Sequence, residues 1–343
     1  MKKLWLHSVC AYLKLGMFFY FKKIRIHNIE NIPTDKPVLL LGNHQNALLD
    51  ALLIAVYGNQ FSYFLTRAAV FKKTLVSKLL KSLQMLPVYR IRDGWNNLNN
   101  NNAIFATCTE LLNQGESIVI FPEGNHNLER RIRPLSKGFT RIVFDTLQKY
   151  PSLDLQLVPV GLNYKDALSF PDSASMFFGK PIAAKAFITE NKTKAVSNLK
   201  NKIQWELMQL TTHIPEDDYK SSLKRLQELQ VDFLKPQEVN ACLKSGFKKV
   251  KAERKSNTRI INKLFKLLLK INLILPFAIW KLAIEPIIEE LEFKSTFRFT
   301  VALTLVPAWI MFITFILLIY FGWFIALSYF ALSLLIGLLA IKL

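Results

Sequence analysis

His44 and Asp50 stand in the run Gly42-Asn43-His44-Gln45-Asn46-Ala47-Leu48-Leu49-Asp50, directly after an apolar stretch at 38–41. An imidazole backed by a carboxylate is the equipment of a general base, because the carboxylate fixes the tautomer and stabilises the imidazolium once a proton has been taken. On one continuous helix the two would be badly placed: six steps of roughly 100° leave them about 120° apart. The spacing therefore predicts that His44 precedes a helix, that Asn46 caps it, and that Asp50 reaches back from the first turn. A second group, Ile120-Phe121-Pro122-Glu123-Gly124, ends an apolar run in a turn carrying one carboxylate. The loop beyond it holds His126, Arg130, Arg131, Arg133 and Lys137, enough positive charge to hold an anion. Arg90 and Arg92, after Pro87-Val88-Tyr89, suit a phosphate because each guanidinium donates two parallel hydrogen bonds. Taken alone, a His and Asp at this spacing are more often structural or incidental, and each arginine taken singly is more often a solvated surface charge.

Elements able to position such groups alternate along the chain. Short apolar runs at 38–41, 61–66, 85–90, 117–121, 156–161 and 176–178 are bounded by Pro, Gly or Asn and predict strands. Amphipathic stretches between them predict helices; the clearest covers 103–113, entered from the asparagine run 99–102 and closed by Gly115. The pattern is that of an α/β domain with a mixed sheet flanked by helices, over 31–187. From about 188 strand signals vanish and a basic helical extension is predicted to 292. Within it, 244–270 carries Glu253 as its only acid, and apolar residues interleave with lysines at helical spacing. Such a face fits anionic headgroups, or is an ordinary solvated basic helix.

Forty-five Lys and Arg against 25 Asp and Glu give a formal net charge of +20, so an anionic partner is expected. Nucleic acid is disfavoured, because no recognition motif accompanies the charge. Membrane lipid is favoured by the end of the chain, which has no charged residue or histidine from Phe299 to Ile341. That is long enough for two spans of roughly 20 residues each, with Tyr320-Phe321-Gly322-Trp323 at the turn. A transmembrane helical hairpin is predicted over 293–343, and Lys294, Arg298 and Lys342 put both its ends on the cytoplasmic side. Residues 1–30, with Lys14 interrupting the apolar run, read as a retained amphipathic helix at the interface. The stretch 271–280 is too short to cross alone and reads as interfacial or re-entrant. Cys10, Cys108 and Cys242 form neither a disulfide framework nor a metal-ligand spacing.

His44 with Asp50, then Phe121-Pro122-Glu123-Gly124, then Val158-Pro159-Val160-Gly161-Leu162-Asn163-Tyr164 resemble, in order and spacing, the motifs of the glycerolipid acyltransferase superfamily. The similarity covers about 31–182, including Phe178-Gly179-Lys180-Pro181-Ile182. Five residues separate His44 from Asp50 where most members have four, which resembles the glycerol-3-phosphate and dihydroxyacetone-phosphate acyltransferase branch. Asn125-His126 departs from the usual Thr-Arg. The resemblance implies a base at His44, an orienting carboxylate at Asp50, phosphate contacts near Arg90 and Arg92, and structuring or substrate-binding roles for Glu123 and Gly124. His126, Arg133 and Lys137 are expected beside them on the substrate side. Acyl-CoA or acyl-carrier protein is the implied donor and glycerol 3-phosphate or its 1-acyl ester the implied acceptor, with no cofactor or metal. Another lysophospholipid or an acyl-amino-acid lipid remains an alternative acceptor, and an idle membrane scaffold an alternative role. No Gly-x-Ser-x-Gly elbow is present, so direct transfer without an acyl-enzyme is expected.

Overall fold

The computed structural model describes residues 2–89, 101–248 and 259–343. A helix α1 (Lys2–Phe18) leads into an eight-stranded mixed sheet: β1 (Phe21–His27), β2 (Val38–Gly42), β3 (Ser62–Arg67), β4 (Met85–Val88), β5 (Ser117–Ile120), β6 (Gln156–Tyr164), β7 (Asp172–Phe178) and β8 (Ile182–Ala183). The order is β1-β7-β6-β2-β5-β3-β4, with β8 also paired to β6. β2 sits between β5 and β6, parallel to both, and all five of its residues are buried. Its side chains alternate between the faces: Val38 and Leu40 join one core cluster, Leu39 and Leu41 the other. The first cluster receives α2 (Ala47–Tyr57) through Leu49, Leu53 and Ile54. The second receives α4 (Asn101–Asn113) and α5 (Gly138–Lys149) through Phe105, Leu112, Phe139 and Ile142. Because β2, β5 and β6 are parallel, residues following them emerge at one edge of the sheet, where open α/β sheets place their sites.

Two segment assignments change. Residues 1–30 are not one helix: α1 stops at Phe18, and β1 forms the edge of the sheet in parallel register with β7. Lys23-Ile24-Arg25-Ile26 alternates with period two, and the structure uses that alternation rather than a helical stripe. Nor does the sheet's core end at 187. Helix α6 (Lys192–Leu210) buries Leu199, Ile203 and Leu207 beside Leu39 and Leu41, so it covers the second face. Its apolar residues form a single i, i+4 stripe in an otherwise polar sequence. Helices α7 (Tyr219–Glu228) and α8 (Pro236–Lys244) enclose a separate small cluster around Ile214, Leu226 and Val239.

After residues 249–258, which lie outside the described residues, α9 (Arg259–Asn272) meets a short α10 (Ile274–Ala278) at a 94° bend. A π-helical segment, Ile279–Ile284, continues α10. Helices α11 (Lys294–Phe321) and α12 (Trp323–Lys342) are each long and apolar enough to cross a membrane, with mean hydropathy 2.5 and 2.4. They reverse at Gly322, whose φ of 82° is open to glycine at little cost. Ser295 and Arg298 bond the 167–169 loop and Lys342 bonds the Phe21 carbonyl, so both hairpin ends lie on the sheet domain. α1 runs against α11 where Gly16 lies on the Leu303 side chain, which would have to shift to admit a side chain at 16.

At the start of β7 the Asp172 carboxyl is pushed up to about 6, chiefly by burial, and one of its oxygens has no hydrogen-bond partner. The folded protein therefore holds this proton to a higher pH than the unfolded chain does, and stability falls as pH rises from roughly 4 toward 6. Asp172→Asn is expected to raise stability at pH 7 by on the order of 1–3 kcal/mol and to leave it unchanged at pH 4. Thermal unfolding in detergent at the two pH values checks it; equal shifts at both would contradict the linkage.

Candidate active site

β2 ends at Gly42, and Asn43 continues its pairing with a side chain: its amide donates to the Leu162 carbonyl (3.0 Å) and accepts the Leu162 N–H (2.7 Å). The next residue is thereby pinned to β6. His44 Nδ1 lies 2.9 Å from Asp50 Oδ2, as the spacing predicts, with His44 before α2 and Asp50 in its first turn. Asn46 is the capping residue by position, but its side chain makes no cap bond; instead its backbone N–H donates to Asp50 Oδ2 at 2.7 Å. Ala47, the first residue of α2, has φ +43°, in the left-handed region. Facing a carboxylate, Nδ1 carries the ring's hydrogen and Nε2 the lone pair, the tautomer a base needs.

Asp50 is fully buried and accepts a third bond, from the Tyr164 hydroxyl to Oδ1 at 2.6 Å. Tyr164 ends β6 and is itself fully buried; burial and then the Asp50 charge hold its hydroxyl well above the usual range, so it remains a donor. The sequence motif includes Tyr164 but gives it no task. Tyr164→Phe removes one of the three donors that hold the Asp50 carboxylate. Acyl transfer should fall by roughly tenfold with KM little changed, because a less firmly held carboxylate orients His44 less well. An unchanged kcat in the folded Tyr164→Phe protein would confine Tyr164 to packing.

The His44 ring stacks on Phe121, with centroids 4.3 Å apart, and meets the edge of His126 at 5.5 Å. Its backbone N–H donates to Glu123 Oε1 (3.2 Å), and its carbonyl accepts from Asn127. Glu123 does not present its carboxylate at the turn's tip. The side chain is 3% exposed, and Oε2 bonds Arg133 Nε at 2.7 Å. Burial raises the Glu123 carboxyl above its usual value, opposed first by the Arg133 charge. Arg133 also donates to the Asn125 side chain and carbonyl. Gly124 turns with φ +80°, where a side chain would be strained. The loop after β5 is thus clamped by an internal ion pair under His44.

This changes the expected anion contacts. Arg133 is committed to Glu123 and Asn125; Arg130 donates to the carbonyls of Tyr164 and Lys165; Arg131 pairs with Glu129 and Glu216. His126 faces Phe293 and, at 3.5 Å, Glu290, with Glu292 near enough that ligand-type atoms of the three lie within 4.8 Å of one another. Lys137 precedes α5 with an exposed side chain. Arg90 and Arg92 lie outside the described residues. Cys108 is buried in α4 and its thiol is pushed up to about 12 by burial, so it is no thiolate near neutral pH. Between α1, α2 and the β3–β4 pair runs an open apolar groove lined by Leu6, Leu13, Leu52, Ala55, Phe64 and Met85.

Fold and site together define an α/β domain with a carboxylate-backed histidine at its parallel strand ends, joined to two helices of membrane-spanning length. Residues 23–163 match the family model described as Acyltransferase. A chloroplastic 1-acyl-sn-glycerol-3-phosphate acyltransferase of Arabidopsis thaliana is 28% identical over 134 residues, 38% of this chain and 36% of that protein. A probable 1-acyl-sn-glycerol-3-phosphate acyltransferase of Mycoplasma pneumoniae is 26% identical over 39% of this chain and 50% of its own length. Glycerol-3-phosphate O-acyltransferase 1 of Saccharomyces cerevisiae is 28% identical over 33% of this chain and 16% of its own. Among solved structures, the 1-acyl-sn-glycerophosphate acyltransferase of Thermotoga maritima covers 60% of this chain and 80% of its own at 20% identity and a TM-score of 0.45. Residues 23–163 are thus similar to acyltransferases whose names cite 1-acyl-sn-glycerol 3-phosphate or glycerol 3-phosphate as acceptor. The chain spans half or less of the curated relatives named here.

Proposed function

We propose that this protein is a membrane-bound O-acyltransferase that moves a fatty acyl group from acyl-CoA or acyl-carrier protein to glycerol 3-phosphate or 1-acylglycerol 3-phosphate. The observation that carries the reading is the 2.9 Å contact of His44 with a fully buried, triply bonded Asp50. His44 Nε2 takes the proton of the acceptor hydroxyl as its oxygen attacks the thioester carbonyl carbon. The tetrahedral oxyanion then collapses, the carbon–sulfur bond breaks, and the thiolate recovers the proton from Nε2. The acyl chain lies in the groove along α2, whose first turn holds Asp50. Phosphate is held by Arg90, Arg92 and Lys137. Lys294, Arg298 and Lys342, near the hairpin ends, favour the sheet domain on the cytoplasmic face.

One observation favours a second acceptor. Glu290 and Glu292 beside His126 form a negative corner near His44, which suits an ammonium-bearing lipid, such as an acyl-amino-acid lipid whose side chain carries an amine, better than a bare phosphate. Purified protein offered a labelled acyl thioester with glycerol 3-phosphate, lysophosphatidate, zwitterionic lysolipids and an acyl-amino acid in parallel decides the matter. Esterification of none of them would leave the chain a scaffold.

A further inference from the structure

The helix α3 (Thr74–Ser82) lies between β3 and β4, outside every core cluster, and buries none of its residues. Leu75 is 83% exposed, and Val76, Leu79 and the preceding Val70 are exposed with it. Leu75 and Leu79 are stacked one turn apart with Val76 beside them, so the three form one apolar face. Lys72 and Lys73 precede the helix, Lys78 borders that face and Lys81 lies in the last turn, and no Asp or Glu occurs anywhere from 51 to 92. An apolar face left open to water on a helix of a single sign of charge calls for a partner.

We propose that α3 is a membrane-docking helix, which sinks Leu75, Val76 and Leu79 into the acyl boundary of an anionic leaflet while its lysines meet the headgroups. Two observations select the bilayer. First, α3 is continuous with the membrane-directed part of the molecule. Trp5 of α1 donates to Ser82 at 3.2 Å, α1 exposes Leu4, Tyr12 and Leu15, and its Gly16 lies against Leu303 of α11. Second, the charge excludes the simplest protein partner: a second copy docking by the same face would set four lysines against four. Anionic headgroups answer that charge, at about fivefold per lysine in the ratio of docked to undocked helix. The docking stands whether or not His44 is the base. If the groove receives the acyl chain as proposed above, docking also acquires a use, because α3 runs directly into Leu83, Gln84 and Met85 on the groove's wall. A chain then passes from leaflet to groove without crossing water.

The test places an environment-sensitive fluorophore at Leu75→Cys, and separately at Thr193→Cys on the other face of the sheet, both in a Cys10→Ala background. The full chain is reconstituted into phosphatidylcholine vesicles with and without phosphatidylglycerol. In anionic vesicles the label at 75 should emit to the blue and be quenched by brominated lipids, while the label at 193 should do neither. Replacing Lys72, Lys73, Lys78 and Lys81 by glutamine should reduce the anionic-vesicle signal to that of neutral vesicles. Water-like emission from position 75 in both vesicle types overturns the proposal. So does blue emission that brominated lipids leave unquenched, which would mean protein rather than lipid covers α3.

Discussion

Replacing His44 by alanine is expected to lower acyl transfer by roughly 10² to 10⁴-fold, the usual contribution of a general base. The fold should survive, because His44 supplies no core hydrophobe and its backbone bonds to Glu123 and Asn127 need no imidazole. Asp50→Asn should give a comparable loss, since an amide in that buried position can hold the ring with the hydrogen on the wrong nitrogen. Initial rates with a labelled thioester, alongside thermal unfolding, separate the two effects. Near-native turnover by a folded His44→Ala protein would remove the base from the mechanism.

Arg133→Ala should be the most destabilising single change at the site, at about 3–5 kcal/mol, because it leaves the Glu123 carboxylate buried without its counter-charge. Glu123 is already raised by burial, and losing Arg133 raises it further. A carboxyl so raised takes up its proton on acidification, so the penalty should shrink as pH falls into the carboxylate range. Adding Glu123→Gln to Arg133→Ala should restore most of the stability, since a neutral amide tolerates the site without a cation. Thermal unfolding of the two single variants and the double variant provides the cycle. Should Arg133→Ala cost no more than about 0.5 kcal/mol, the pair would be no better than a surface contact.

The His44–Asp50 contact was legible because it is local: both partners lie within one strand-to-helix turn, and helical geometry alone says which arrangement lets them meet. Tyr164 was not, although the motif containing it was recognised, because its bond to Asp50 joins residues 114 positions apart. The arginines of the loop after β5 show a related limit. Charge says that a guanidinium needs an anion but not which one, and here Glu123 and Glu216 supply it from within the protein. Strands β2, β5 and β6 were plain because strands buried on both faces are apolar throughout. β1 was hidden by Lys22 and Lys23 at its exposed edge; α6 was expected as a helix, but its packing on the sheet was hidden by a stripe only one residue wide in each turn. The hairpin needed no tertiary information, since its length and absence of charge are sufficient.

The segment between His44 and Asp50 gathers several costs in one place: Ala47 in a left-handed conformation, the Asn46 amide oxygen buried without a partner, and a carboxylate with no access to water. Each alone disfavours the native state by on the order of 1 kcal/mol or more. A screen for heat-resistant variants would be drawn to these positions, Ala47→Gly first among them. Relaxing the backbone there also loosens the one distance on which proton transfer depends, so the hardiest proteins such a screen returned would tend to be the slowest.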